Sequence, residues 1–197
     1  NMNVTGESFD YGPWRFAPVA DPAFTAAYFD QTGLYAFGRQ AEAGAWNLAQ
    51  LGGALSRIAP ADPLNTALQT FAAAYEEAMA SVFFRRFGIA RTGEGDFDFV
   101  ADMLKWMTDA RAPYEQVFFD WFCGAASAER AANSPQAALY DGEAFKPVRD
   151  ALTAFAPEKP ERLAHDYFKQ KQPCTMLIDE VEAIWAPIAD DDDWTAL

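Results

Sequence analysis

The first thirteen residues hold the side chains best suited to chemistry. Asn1 carries an amide and Asp10 a carboxylate, nine positions apart, with Gly6 between them and Gly12-Pro13 after them. Both groups offer hard oxygen donors. Such donors suit Mg²⁺, which is held by one or two side chains together with substrate phosphates. A strand-turn-strand hairpin over this stretch would set Asn1 and Asp10 side by side, and Gly12 permits backbone angles closed to other residues. Asp-x-Gly also makes a good turn with no metal at all.

The rest of the chain narrows the chemistry by what it lacks. It has one histidine, His165, and two cysteines, Cys123 and Cys174. A Cys/His zinc site needs about four such ligands at tight spacings. No nucleophile motif accompanies His165, which reads as part of an ordinary helix. Cys123 sits in the aromatic run Phe119-Asp120-Trp121-Phe122-Cys123 and reads as a buried core thiol. Two cysteines make no disulfide framework and favour a reducing compartment, although a link between them stays open. With 15 Lys and Arg against 29 Asp and Glu, the 197 residues carry a net charge of −14. That balance argues against nucleic acid and anionic membrane surfaces as partners. A 51% apolar content provides material for a packed core, and no run has the length of a membrane span.

These residues need elements to position them. Residues 1–40 mix Gly, Pro and aromatics without a helical period, which predicts loops, short strands and one helical turn near Pro22–Phe29. Beyond residue 40 the pattern turns helical. Trp46, Leu48, Leu51, Leu55 and Ile58 form a stripe ending at Pro60. Asp62-Pro63 reads as an N-cap and a first helical proline, opening a stripe from Leu64 through Phe83 that stops at Gly88. Asp96 reads as the cap of a helix bearing Val100, Met103, Leu104 and Met107, and Pro113 opens another with Val117, Phe118 and Trp121. Further helices are expected over 142–156, 160–170 and 175–187, with Asp190–Asp193 a solvated turn rather than a calcium loop. These stripes are core faces. The expected architecture is mainly α: a metal-binding hairpin and aromatic loop segment over 1–40, then one continuous helical domain over 41–197.

The opening string, taken whole, resembles the SelO family of protein adenylyltransferases, also called YdiU, whose fold is protein-kinase-like. The family run is close to Asp-Asn-Met-Ser-x-x-Gly-Glu-Thr-x-Asp-Tyr-Gly-Pro. Here it reads Asn1-Met2-Asn3-Val4-Thr5-Gly6-Glu7-Ser8-Phe9-Asp10-Tyr11-Gly12-Pro13. Asp21-Pro22-x-Phe24, Gly33-x-Tyr35-Ala36-Phe37-Gly38-Arg39-Gln40 and Gly44-x-Trp46-Asn47-Leu48-x-x-Leu51 continue the likeness, which is dense over 1–58 and thinner beyond. The departures Asn3, Ser8 and Trp14 leave the metal positions intact.

The resemblance implies a kinase-like C-terminal lobe in which Asn1 and Asp10 bind Mg²⁺ or Mn²⁺ and Asp10 also lies against ATP. AMP would pass from ATP to Ser, Thr or Tyr hydroxyls of partner proteins. The family's catalytic Asp falls directly before the position of Asn1, and its nucleotide-binding Lys, Arg and Gly residues fall further upstream. This chain is therefore expected to be a C-terminal fragment, inactive alone, of a cytoplasmic enzyme. Charge agrees: residues 1–40 hold only Arg15 and Arg39 as cations, too few for a triphosphate. Arg39 and Trp46 are motif residues read as structural, Arg39 pairing a buried acid and Trp46 filling the lobe core. The competing reading is a non-catalytic acidic helical domain acting by protein–protein contact.

Overall fold

Aromatic side chains at helical spacing dictate where the core forms. A computed structural model describes residues 15–195. After a single 3₁₀ turn at Phe37–Arg39, the chain forms α1 (Gln40–Leu55), α2 (Ala61–Gln69), α3 (Phe71–Phe87), α4 (Asp96–Asp109) and α5 (Tyr114–Asp120). Short helices α6 (Ala128–Ala132) and α7 (Ala137–Tyr140) lead to α8 (Lys146–Ala154) and, past two 3₁₀ turns, α9 (Ile178–Asp191). The described residues are thus mainly helical, as expected. The hairpin expected over Asn1–Asp10 lies outside them.

The core sits where α3, α4, α5 and α8 meet. Phe83, Phe84 and Phe87 of α3 face Phe99, Met103 and Met107 of α4, all fully or almost fully buried. Rings interlock across elements, with Phe87 and Phe118 at 4.5 Å between centroids and Trp106 and Phe145 at 4.4 Å. Offset and tilted pairs of this kind add about 1 kcal/mol each beyond their burial. Gly88 ends α3 in the left-handed region, φ 61°, and a Cβ there would lie 2.6 Å from the Phe122 ring, so both conformation and space require glycine. The one strand-like pairing among the described residues is an isolated bridge between Ile89 and Pro157.

Several expectations need correction. Residues 15–36 contain neither a strand nor the helical turn near Pro22–Phe29; they form successive turns. Trp46 does not fill the core: it is 62% exposed. The half-buried face of α1 runs through Ala41, Gly44, Leu48, Leu51 and Leu55. Trp46 stands two residues from both Gly44 and Leu48, about 200° around the helix from either. Arg39 pairs with Glu42, three residues on and exposed, rather than with a buried acid. Helix α2 starts at Ala61 after Pro60, so Asp62 is no cap, and the stripe from Leu64 breaks at Thr70, between α2, which packs on α1, and α3. Gly52 lets Leu68 approach there, at 3.2 Å from where a Cβ would stand.

Asp96 is the first residue of its helix, not the residue before it. Its carboxylate reaches back to the amides of Thr92 and Gly93 and to Arg91. The stretch 160–170 is two 3₁₀ turns, Pro160–Ala164 and Asp166–Lys169, with His165 between them. There His165 Nδ1 accepts the Tyr167 amide at 3.1 Å, a capping role that breaks the expected helix. Helix α9 runs on through Pro187 to Asp191, so Asp190 and Asp191 are helical and left-handed Asp192 ends the helix.

Candidate functional site

Asn1 and Asp10 lie outside the described residues, so the site is approached from the segment that follows them. Residues 15–36 form a strap, held in shape by its own short polar side chains. Asp21 Oδ1 accepts the Ala23 amide at 2.9 Å. Asp30 accepts the Tyr35 amide at 2.7 Å, the Leu34 amide at 2.9 Å and the Thr32 hydroxyl at 3.3 Å. The Tyr35 amide leads in holding the Asp30 carboxyl below its ordinary range. The Phe37 and Gly38 amides donate to the Phe24 and Pro22 carbonyls, both at 2.8 Å, closing the strap into a loop. Gly38 is needed at that closure, because a Cβ would stand 2.7 Å from Pro22 Cβ.

Three contacts fix the strap on the helical body. The Ala20 amide donates to the Ala112 carbonyl at 3.0 Å. Arg111 lies 3.6 Å from Asp21. The Phe37 ring meets the Tyr114 ring edge-on at 6.0 Å. A cleft of about 430 Å³ remains between strap and body, lined by Arg15, Phe16, Phe24, Tyr35, Arg86 and Glu115 among others. Arg15, the first described residue, follows Asp10 by five positions in the sequence.

A fixed cation stands at this cleft. Arg86, from the last turn of α3, forms an ion pair with Glu115 of α5, and its guanidinium lies 3.9 Å from the centroid of Phe118 and 5.2 Å from that of Tyr114. Stacking and pairing both hold the guanidinium plane in place. Burial raises the Tyr114 hydroxyl above its usual range, with the nearby Arg86 opposing. Tyr114 is thus a neutral wall residue at neutral pH. The arrangement suits gripping an extended segment with aromatic and polar groups; among the described residues no three metal-ligating acidic, His or Cys side chains come together. Sequence patterning gave no sign of Arg86 and Glu115, which are 29 positions apart and meet only through the packing of α5 on α3.

A second polar centre was hidden in the aromatic run noted for Cys123. Asp120 is completely buried and accepts from Gln116 at 2.8 Å, from Tyr140 at 2.7 Å and from Ser134. Burial pushes its carboxyl above the usual range, and the three donors pull the other way. Its oxygens are occupied by these donors, which makes it a structural clasp between α5 and α7. Cys123 itself is buried, as expected from the run, and Cys174 is exposed; both are free thiols.

Comparison with known proteins settles the family. The model of the family described as "Protein adenylyltransferase SelO" matches residues 1–197, and the chain belongs to that family. The chain is 33% identical over 205 residues to the protein nucleotidyltransferase YdiU of Gloeobacter violaceus, covering 98% of this chain and 42% of that protein. It is 29% identical over 206 residues to the protein of the same name from Synechocystis sp., covering 98% and 43%. It is 34% identical over 175 residues to that from Cereibacter sphaeroides, covering 84% and 34%. The chain spans less than half the length of these relatives.

Proposed function

We propose that this chain is the C-terminal part of a nucleotidyltransferase that moves AMP from ATP onto Ser, Thr or Tyr hydroxyls of other proteins. The observation that carries the reading is the match to the family along all 197 residues, with the Asn1 to Pro13 string in place. The lobe would be kinase-like, with the strap following the metal motif as a kinase segment follows its Asp-Phe-Gly.

In this reading the Asn1 amide oxygen and the Asp10 carboxylate would hold a divalent ion, Mg²⁺ or Mn²⁺, and the hard character of both donors fits either metal. Bound there, the ion would offset charge on the departing pyrophosphate. Asp10 would also stand against the ATP phosphates. The acceptor hydroxyl attacks the α-phosphorus, the bond to pyrophosphate breaks, and the hydroxyl proton passes to a carboxylate expected directly before Asn1 in the complete protein. The cationic partners of the triphosphate come from outside residues 1–40, which hold two arginines. Two free thiols suit a reducing compartment, and a cytoplasmic location belongs to this proposal.

The test is Asp10→Ala in the complete protein, followed by incorporation of label from α-³²P-ATP into protein. Transfer should fall by at least a thousandfold. Transfer that survives the change would remove Asp10 from the metal site and the proposed mechanism with it.

A further inference from the structure

Behind the wall made by Phe37 and Tyr114 lies a groove of about 910 Å³, twice the volume of the cleft between strap and body. Two helices build it. Met79 and Val82 on α3 and Phe97, Ala101 and Leu104 on α4 supply its apolar sides, and Pro22 of the strap closes one end. Val82 is 37% exposed and Phe97 47%. The α4 residues follow i, i+4, i+7 spacing and form a straight ridge, so the groove has the form that receives a third helix or an extended segment.

Its rim has one dominant sign. Glu76, Asp98, Asp109 and Asp21 border the groove, against Lys105. Lys105 is bound to Asp109 at 2.5 Å, and Asp21 has Arg111 nearby. Glu76 and Asp98 take part in no ion pair among the described residues. Apolar walls inside an acidic rim select the occupant by charge. Phosphates, nucleic acids and anionic lipid are repelled, and a second copy of this chain at −14 brings the wrong sign. A segment with apolar anchors flanked by Lys or Arg satisfies both walls and rim.

We infer that this groove docks a basic, apolar-anchored segment of the acceptor protein. The inference rests on the reading above that acceptors are proteins. It makes the rim a determinant of which proteins are modified, separate from the residues that transfer AMP.

The probe is a fluorescein-labelled 16-residue peptide with Leu at i, i+3, i+4 and i+7 and Lys elsewhere, beside a twin with Glu for Lys. Both are titrated into the complete protein and read by anisotropy. The Lys peptide should bind saturably and the Glu twin at least tenfold more weakly. The double variant Glu76→Lys with Asp98→Lys should weaken the Lys peptide at least tenfold, and so should Val82→Glu, each with an unchanged circular dichroism spectrum. A Lys peptide that fails to bind, or binds these variants equally well, overturns the inference. So does a groove filled by self-association, seen as a concentration-dependent dimer that Val82→Glu dissolves. An acceptor fused to the Lys segment should show at least a tenfold lower KM with kcat unchanged, an advantage the double variant erases; no KM difference overturns the docking role. Binding without AMP transfer by the complete protein would sink the proposed activity and leave the groove's selectivity standing, whereas transfer without binding would do the reverse.

Discussion

Tyr140 donates its hydroxyl to the buried carboxylate of Asp120 at 2.7 Å, joining α7 to α5 at the edge of the aromatic core. The same Asp120 oxygen accepts the Ser134 hydroxyl, and the other takes the Gln116 amide at 2.8 Å. The Tyr140 ring meanwhile packs against Trp106, Trp121 and Phe145. One side chain thus serves both the core and its single fully buried α5 carboxylate.

Tyr140→Phe separates the two roles. It keeps the ring and removes the donor, leaving Asp120 with two partners in a site closed to water. The loss should be about 0.5–1.5 kcal/mol, the net range for one hydrogen bond whose acceptor keeps its other partners. Urea denaturation should show a lower midpoint at unchanged slope. A midpoint identical to that of the parent chain would mean that the bond contributes nothing net.

The same carboxylate gives stability a pH dependence of definite sign. Burial raises the Asp120 carboxyl in the folded chain above its ordinary range. The folded state therefore keeps a proton that the unfolded state releases, and this group's contribution is greatest at low pH and is lost as pH rises through the raised range. Asp120→Asn cannot titrate, and the Ser134 and Tyr140 hydroxyls can turn to accept from its amide. Stability of the variant minus that of the parent should grow as pH rises from about 4, the ordinary Asp value. A flat difference would show that Asp120 ionises as freely folded as unfolded, and a falling one that folding lowers its pKa; either overturns the prediction. Asp96 works in the opposite sense. Burial acts to raise it, but Arg91 and the Thr92 and Gly93 amides outweigh that and hold it low, so its contribution is lost as pH falls.

These two acids also mark how far the sequence could be read. Helices α3, α4 and α5 were legible because their apolar spacing and stops are local: Gly88 at the end of α3, Pro113 before α5. The buried face of α1 is not legible locally: Trp46 falls among the apolar residues of the helix yet points away from the covered face, which the approach of Leu68 to Gly52 and of Phe71 to Gly44 decides. Asp120 was passed over because its donors come from 4, 14 and 20 residues along the chain, and no local pattern announces such a meeting. Arg86 and Glu115 were missed for the same reason at longer range. The short motifs of the strap were visible as strings, yet the closure of Phe37 and Gly38 onto Phe24 and Pro22 is a matter of backbone bonds that residue types alone do not specify.

The two thiols should differ sharply in reactivity. Cys123 is buried, and burial raises its thiol above the usual range, so thiolate is scarce and access is closed. Cys174 is exposed. Under native conditions an aromatic disulfide reagent should titrate about one thiol per chain rapidly, and the second only after unfolding. Two fast thiols, or none, would contradict the placement of Cys123 at the end of α5's aromatic run.

Nucleotide affinity tests the division of charge proposed for the active site. A Mg²⁺-bound triphosphate keeps net negative charge and gains affinity from positive partners. This chain is −14 overall; its residues 1–40 hold two arginines, and one of them, Arg39, is engaged by Glu42. Arg86 is engaged by Glu115 and stacked on two rings. Titration calorimetry of the 197-residue chain with Mg-ATP up to about 1 mM should therefore show no saturable heat, since a dissociation constant near 1 mM corresponds to only about −4 kcal/mol. A micromolar constant would show that these residues bind the nucleotide unaided, and would place the phosphate contacts within this acidic lobe rather than in the remainder of the protein.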